Sequence, residues 1–402
     1  MRADDDIDAE LDLRHRAFGP MGEADRAYWR GEVLGCIEGG RQFGVWDGPD
    51  LLGAARYYDM RQYWHGRAVP MAGVGGVKVA PEARGRGVGR ALMTELLAEM
   101  SGRGYPLSVL YPATARLYRS LGWELAGGHY QADVPARSLG GLLPPDRQAT
   151  PAEPGGHGDG GERGVRRAGL DDAKAVIEVL GAVHAAARDC GAATMDVASV
   201  RRWLAGNGLF AYLAQDGFLA YGWHGQTDKA IRVEILQAGS AATARQLWGI
   251  VASHASVTQT IHAAVGPADP ITWLTTEPDV AVRNAHGWML RVLDPVAAIT
   301  GRGFAAGTSA RVMLRLADPG LPDNAGLYTL TVGDGAGSLD RAGTPGRADP
   351  VLTLGPRGFA ALYAGVPLAT LRVAGLVSGG DPGTDAALGA VFAASPYLLY
   401  YF

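Results

Sequence analysis

Apolar positions change period several times along the chain, and the changes mark its elements. Over 171–187, the residues Ala173, Val176, Ile177, Leu180, Val183 and His184 recur at helical spacing, with Asp171 and Asp172 at the start, where the helix dipole favours acids. Leu92, Leu96 and Met100 repeat at the same period after Val77 and Val79, whose strand Pro81 stops. The pattern predicts a strand, a glycine-rich turn and a helix. Residues 107–111 read as the next strand, and 114–121 as a short helix stopped at Gly122. Much later, 327–332 alternates with period two and runs into a hairpin-like turn over 333–337. A short strand over 351–354 and short helices over 359–363 and 388–392 follow.

Periodicity fails between 137 and 164, where Pro144, Pro145, Pro151, Pro154 and a glycine-rich run over 155–161 predict a flexible linker or a long surface loop. A second shift falls at Asp294-Pro295. Four segments result: a unit over 1–137, a linker over 138–164, a second unit over 165–294 and an α+β unit over 295–402. At roughly 150 residues per domain, the length of 402 fits two or three folded units.

Charge excludes some partners. With 37 basic against 41 acidic residues, bulk charge gives no indication of nucleic acid. No uncharged apolar run approaches the roughly 18 residues of a membrane span. The acidic start, from Asp4 to Asp12, is the opposite of a basic secretory leader, and Cys36 and Cys190 are too few for a disulfide framework. A cytoplasmic protein with no membrane partner is expected. Neither cysteine pairs with a histidine at metal spacing, no H-E-x-x-H occurs, and no metal is expected. The absence of a G-x-S-x-G elbow argues against a serine hydrolase.

The chemistry concentrates in Val77-Lys-Val-Ala-Pro-Glu-Ala-Arg-Gly-Arg-Gly-Val-Gly-Arg90. A glycine-rich turn at a helix N-terminus offers free N–H groups and a positive dipole end to an anion. Arg84 and Arg86 add side-chain charge, while Arg90 stands where a dinucleotide fold needs its third glycine, and no Walker A pattern is present. Downstream, Leu117-Tyr-Arg-Ser-Leu-Gly-Trp123 carries Tyr118 on the predicted short helix. Tyr118 reads either as a proton donor or as a packed ring whose hydroxyl meets water. No acid lies at a telling distance from these motifs. The tail, Ser395-Pro-Tyr-Leu-Leu-Tyr-Tyr-Phe402, is aromatic enough to predict burial, as a structural or a functional plug.

Arg84-Gly-Arg-Gly-Val-Gly89 resembles the R-G-x-G-x-G/A pyrophosphate loop of the GNAT superfamily of acyl-CoA-dependent N-acyltransferases, and the Tyr118 segment is similar to that superfamily's aromatic-Tyr-x-x-x-G-[FYW] signature. The order of motif, linker, motif-free unit and α+β end resembles the Eis (enhanced intracellular survival) family over nearly the whole chain. In the last unit, Asp323-Asn-Ala-Gly-Leu-Tyr-Thr-Leu, Ala348-Asp-Pro-Val-Leu-Thr-Leu and Leu362-Tyr-Ala-Gly resemble a sterol-carrier-like domain.

The resemblance implies a mixed α+β and α/β fold, with two fused GNAT-like mixed-sheet domains, the second lacking the CoA loop, and a sterol-carrier-like domain. It implies acetyl-CoA as co-substrate, contacted by Val77, Lys78, Val79, Arg84, Gly85, Arg86, Gly87, Val88, Gly89, Arg90 and Thr114. It implies Tyr118 as general acid and the terminal carboxylate of Phe402 as general base, directly or through water, with a hexameric assembly.

The expected acceptor is a small-molecule primary amine of an antibiotic or secondary metabolite, met by Trp29, Gly75, Gly76, Tyr111 and Tyr401. Tyr401, where an acid would help to hold a polycation, favours an amine on a larger or partly apolar molecule. Glu23, Asp25 and Glu32 read as a solvated helix face before an attraction for a cationic amine, and His184, with Asp189, as a satisfied core residue before a border of the site. The alternatives are a carrier that senses acyl-CoA or binds lipid without catalysis, and the same fold using another acyl donor in biosynthesis.

Overall fold

A computed structural model describes residues 1, 6–142, 164–206, 208–225, 230–344, 346 and 350–402. The strands of the larger part are β1 (Gln42–Asp47), β2 (Asp50–Trp64), β3 (Arg67–Val79), β4 (Leu107–Leu110), β5 (Glu124–Pro135), β6 (Arg166–Ala168), β7 (Cys190–Met195), β8 (Phe210–Ala214), β9 (Gly217–His224), β10 (Ala230–Ala238), β11 (Thr260–Val265) and β12 (Ala281–Val292). With them stand α1 (Ile7–Phe18), α2 (Glu23–Glu38), α3 (Val88–Gly102), α4 (Ala115–Arg119), α5 (Ala173–Ala187), α6 (Val197–Ala205), α7 (Ala241–Ala252) and α8 (Ile271–Leu274).

These strands form one mixed sheet in the order β1-β2-β3-β4-β12-β5-β11-β10-β9-β8-β6, with β7 added to β2. β12 pairs with both β4 and β5, and β5 pairs with β11. The division expected at 137 therefore falls inside a shared sheet. The first residues of the expected linker are also no linker: Ala136–Leu142 forms 3-10 turns, and Ser138, Leu139 and Leu142 are buried, the two leucines in a cluster with Leu247 and Trp248 of α7. Pro144, Pro145, Pro151, Pro154 and the glycine-rich run lie outside the described residues.

Local sequence explains the elements around the site. β2 is covered on both faces and is buried along most of its length, as a central strand must be. It turns into β3 through His65 and Gly66, both at positive φ, the backbone that a two-residue hairpin demands. β3 then pairs with parallel β4 only from Met71 to Val74. Beyond Val74 the two strands part. Gly76, at φ +61°, and Val77 stand opposite Ala55 alone, a bulge that breaks the β2–β3 register just there.

The remaining chain builds a five-stranded sheet, β15-β14-β13-β16-β17, from β13 (Ala310–Leu316), β14 (Gly326–Gly333), β15 (Ala336–Arg341), β16 (Val351–Leu354) and β17 (Val377–Gly379). Its helices are α9 (Pro295–Gly301), α10 (Pro356–Tyr363), α11 (Leu368–Val373) and α12 (Pro382–Val391). The expected turn after β14 is present, with Asp334 and Gly335 at positive φ. Two buried arginines tie this unit to the rest. Arg291 on β12 forms a two-pronged pair with Asp318 at 2.6 and 2.7 Å. Arg302 lies over the rings of Trp64, Phe304, Tyr363 and Phe392, each within about 5 Å. No helix among the described residues is long and apolar enough to cross a membrane.

Candidate active site

The tail returns to the shared sheet. Tyr397 N–H donates to the Cys190 carbonyl at 3.0 Å, and Leu398 N–H to the Gly128 carbonyl at 3.0 Å, so the segment threads between β7 and β5. It passes where side chains are absent: a Cβ on Gly127 would come within 2.6 Å of the Pro396 carbonyl oxygen. His129 Nδ1 meets the Leu398 carbonyl at 2.9 Å, and the Tyr111 hydroxyl donates to the Tyr400 carbonyl at 2.8 Å. Burial holds the His129 imidazolium below its ordinary range, and burial, then Tyr401, raises the Tyr111 phenol well above its own. Both are neutral posts for the tail at pH 7.

Phe402 ends over β3. Its ring lies 6.1 Å from that of Tyr58 and 5.6 Å from that of Tyr111. A Cβ on Gly75 would stand 3.1 Å from the carboxyl carbon of Phe402, tighter than ordinary contact. Gly75 thus seats the terminal carboxyl, a role beyond the acceptor contact that sequence suggests for it. Tyr401 departs from the burial expected of the tail, at 62% exposed. Its ring packs on Tyr111 at 4.5 Å at the edge of a cavity of about 1250 Å³.

That cavity is lined by Trp29, Gly75, Gly76, Val77, Lys78, Tyr111, Tyr118, Tyr401 and Phe402, which brings the expected acid, base and acceptor residues together. Tyr118 is buried on α4, and its hydroxyl has no hydrogen-bond partner among the described residues. Burial pushes its pKa up to about 12. At neutral pH it is a held proton aimed at no protein acceptor.

Residues 84–90 of the expected cofactor loop do not line the cavity, whereas Val77 and Lys78 do. Gly85 and Gly87 adopt φ of +78° and +84° with nothing within 4 Å of a built Cβ, the left-handed backbone that glycine accepts without strain. Gly87 caps α3, and Ala91 N–H is the first of the helix to find a carbonyl, that of Gly87 at 3.0 Å. The amides of Val88, Gly89 and Arg90 are left facing outward, as an anion requires. Arg84 and Arg86 are exposed beside them, Arg90 donates to the Ser120 hydroxyl at 2.9 Å, and Thr114 is exposed ahead of α4. Val79 ends the parted stretch of β3, and the Val88 side chain is buried, so only its main chain faces a ligand.

Lys78 is different from its expected role. Its ammonium is buried and bonded to Glu10, with the Gly76 carbonyl at 3.3 Å, so the side chain is turned away from a cofactor and only its main chain is open to one. Burial depresses it to about 8, against the pull of Glu10. Arg56 reaches the same Glu10 at 3.4 Å and donates from Nε to the Tyr58 hydroxyl at 2.7 Å. This chain of contacts, Glu10 to Arg56 to Tyr58 to Phe402, supports the terminal residue from beneath.

Sequence reading missed Glu10, Arg56, Tyr58 and His129. For Glu10 a signal exists: with Ile7, Leu11 and Arg14 it shares one face of α1, at spacings of three and four. Glu32 is a second correction. It is buried and bonded to Arg202 of α6 at 2.8 Å, lining the cavity instead of facing solvent. His184 is a core residue paired with Asp189 at 2.7 Å. No group of three or more potential metal ligands occurs among the described residues.

Comparison with known proteins agrees with this layout. Models described as acetyltransferase (GNAT) domains match residues 2–126 and 199–292, and a sterol carrier protein domain matches 295–399. A GCN5-related N-acetyltransferase of Kribbella flavida superposes with a TM-score of 0.88 at 42% identity, covering 100% of this chain and 97% of its own. An uncharacterized N-acetyltransferase of Streptomyces avermitilis is 28% identical over 99% of this chain and 98% of its own length. N-acetyltransferase Eis of Mycobacterium tuberculosis is 27% identical over 73% of this chain and 71% of its own.

Proposed function

Because the chain belongs to the GCN5-related N-acetyltransferases, in the Eis-type arrangement of two such domains and a sterol-carrier domain, we propose that it moves an acetyl group from acetyl-CoA to a primary amine by direct attack, in the cytoplasm. Tyr118 is the general acid and the Phe402 carboxylate the general base. The observation that carries this reading is the Phe402 carboxyl over Gly75, at the point where β3 parts from β4, in the cavity that Tyr118 also lines.

An alkyl ammonium of pKa about 10.4 must lose a proton before it attacks, and the Phe402 carboxylate takes it, directly or through a water. The nitrogen bonds to the thioester carbon, and main-chain N–H groups on the parted edge of β3 near Val79 meet the oxyanion. The carbon–sulfur bond then breaks as the attacking nitrogen gives up its second proton to water. The leaving thiolate, of ordinary pKa about 8.5, takes the proton that burial keeps on Tyr118. Of the Arg84 to Gly89 loop expected to hold the pyrophosphate, the amides of Val88 and Gly89, with that of Arg90, are free to do so beside the Arg84 and Arg86 side chains, and the main chain of Val77 and Val79 pairs with the pantetheine arm. The acceptor meets Trp29, Gly76, Tyr111 and Tyr401, and the size and aromatic walls of the cavity suit an antibiotic or secondary metabolite better than a small amine.

The test is thiol release from acetyl-CoA with a panel of primary amines, alongside competition from longer acyl-CoAs. Release that depends on the amine, fastest with the acetyl donor, is expected. CoA binding without amine-dependent release would support a carrier instead, and faster turnover of a longer donor would overturn the choice of acetyl.

A further inference from the structure

Beside α1 and α2, the cavity holds a cation that no acid among the described residues pairs with. Arg56 and Lys78 share Glu10, whereas Arg14, one turn further along α1, forms no ion pair or hydrogen bond among the described residues. Arg14 is half-buried and lines the cavity. Its guanidinium is 4.7 Å from the centre of the Trp29 indole, and that of Arg56 is 4.6 Å from the same ring. Trp29 therefore shapes the acceptor site by holding two cations. Burial, then Arg56, lowers the pKa of Arg14, as for a cation short of an anion.

Of the acidic side chains that line the cavity, Asp25, Glu32 and Glu234, two are committed. Glu32 belongs to Arg202 at 2.8 Å and Glu234 to Arg232 at 3.1 Å, while exposed Asp25 attracts Arg14 without pairing with it. No free cluster of carboxylates among the described residues could hold a polycation. Arg14 and Phe402 both line the cavity, joined through a chain of contacts by Trp29, Arg56 and Tyr58, so one ligand in it can meet both. Trp203, Trp223 and Tyr400 line other walls of the cavity and give it aromatic surface for the body of such a molecule.

Resting on the reading of this cavity as the acceptor site, we infer that Arg14 anchors an anionic group of the acceptor, a carboxylate or phosphate, so that the substrate class is an aromatic monoamine that carries an acid apart from its reacting nitrogen. Guanidinium donors recognise both anions through charge-assisted hydrogen bonds.

The experiment uses phenethylamines that carry a carboxylate on para spacers of increasing length, with the carboxamide and phosphonate of each. KM in the full-length enzyme and affinity by calorimetric titration in the presence of CoA are measured for the wild type and Arg14→Gln. At the best spacer, the carboxylate or the phosphonate should bind about tenfold tighter than the carboxamide, and Arg14→Gln should abolish the advantage with the KM for acetyl-CoA unchanged. Equal affinity at every length overturns the inference, as does an advantage that survives Arg14→Gln. A raised KM for acetyl-CoA in Arg14→Gln, or preference for a polyamine, also overturns it. If no amine releases thiol, the transfer reading fails, and the titration still decides the anchor.

Discussion

Adding one glycine after Phe402 is expected to lower kcat by at least about a hundredfold while the KM for acetyl-CoA stays within about twofold. The extension converts the Phe402 carboxylate into a neutral peptide and moves the negative charge one residue away from Gly75. It leaves the features that seat the tail in place: the main-chain bonds at Tyr397 and Leu398, the Tyr111 hydroxyl on the Tyr400 carbonyl, and the Phe402 ring against Tyr58. A purely structural plug would tolerate the change, because the aromatic surface it buries is untouched. Steady-state kinetics on the extended and native chains, with melting temperatures to establish that both are folded, check the expectation. An extended chain that retains kcat removes Phe402 from the chemistry.

Tyr118→Phe should cost kcat about a hundredfold or more, the lower end of what a general acid contributes. The ring belongs to the buried cluster that holds Trp123 and Leu92, but the hydroxyl bonds to nothing among the described residues, so phenylalanine keeps the packing and orphans no partner. Stability should change little. The pH dependence carries a sign: the phenol donates only while protonated, and burial raises its pKa to about 12, so it remains competent throughout the range in which the amine becomes a free base. The deficit of Tyr118→Phe against the wild type should therefore be constant between about pH 7 and pH 10. A deficit that disappears as pH rises would assign the proton donor elsewhere.

What could be read from sequence was local. The Arg84 to Gly89 loop needs two left-handed backbones and a helix start, and both requirements are written in adjacent residues. The hairpin at Asp334-Gly335 and the stripe of Leu92, Leu96 and Met100 are local for the same reason. The site's support was not local. Glu10 meets Lys78, and Glu32 meets Arg202, only after the sheet has closed, and nothing near an acid in sequence names its distant partner. The placement of β12 between β4 and β5 is likewise invisible to periodicity, which gives a strand its faces but not its neighbours. Gly75 is an intermediate case. Its place among the acceptor contacts was expected from the resemblance, whereas the end of Phe402 that fills the space came from the other end of the chain.

On the proposed reading, the Phe402 carboxylate acts on the amine and Tyr118 on the thiolate, and neither merely holds the fold. The most direct measurement combines Tyr118→Phe with the one-glycine extension in a single chain and records CoA affinity and amine-dependent thiol release together. A CoA Kd within about twofold of the native value, and release no faster with amine than without it, are expected. Release within about tenfold of the native rate, with CoA still bound, would contradict that reading.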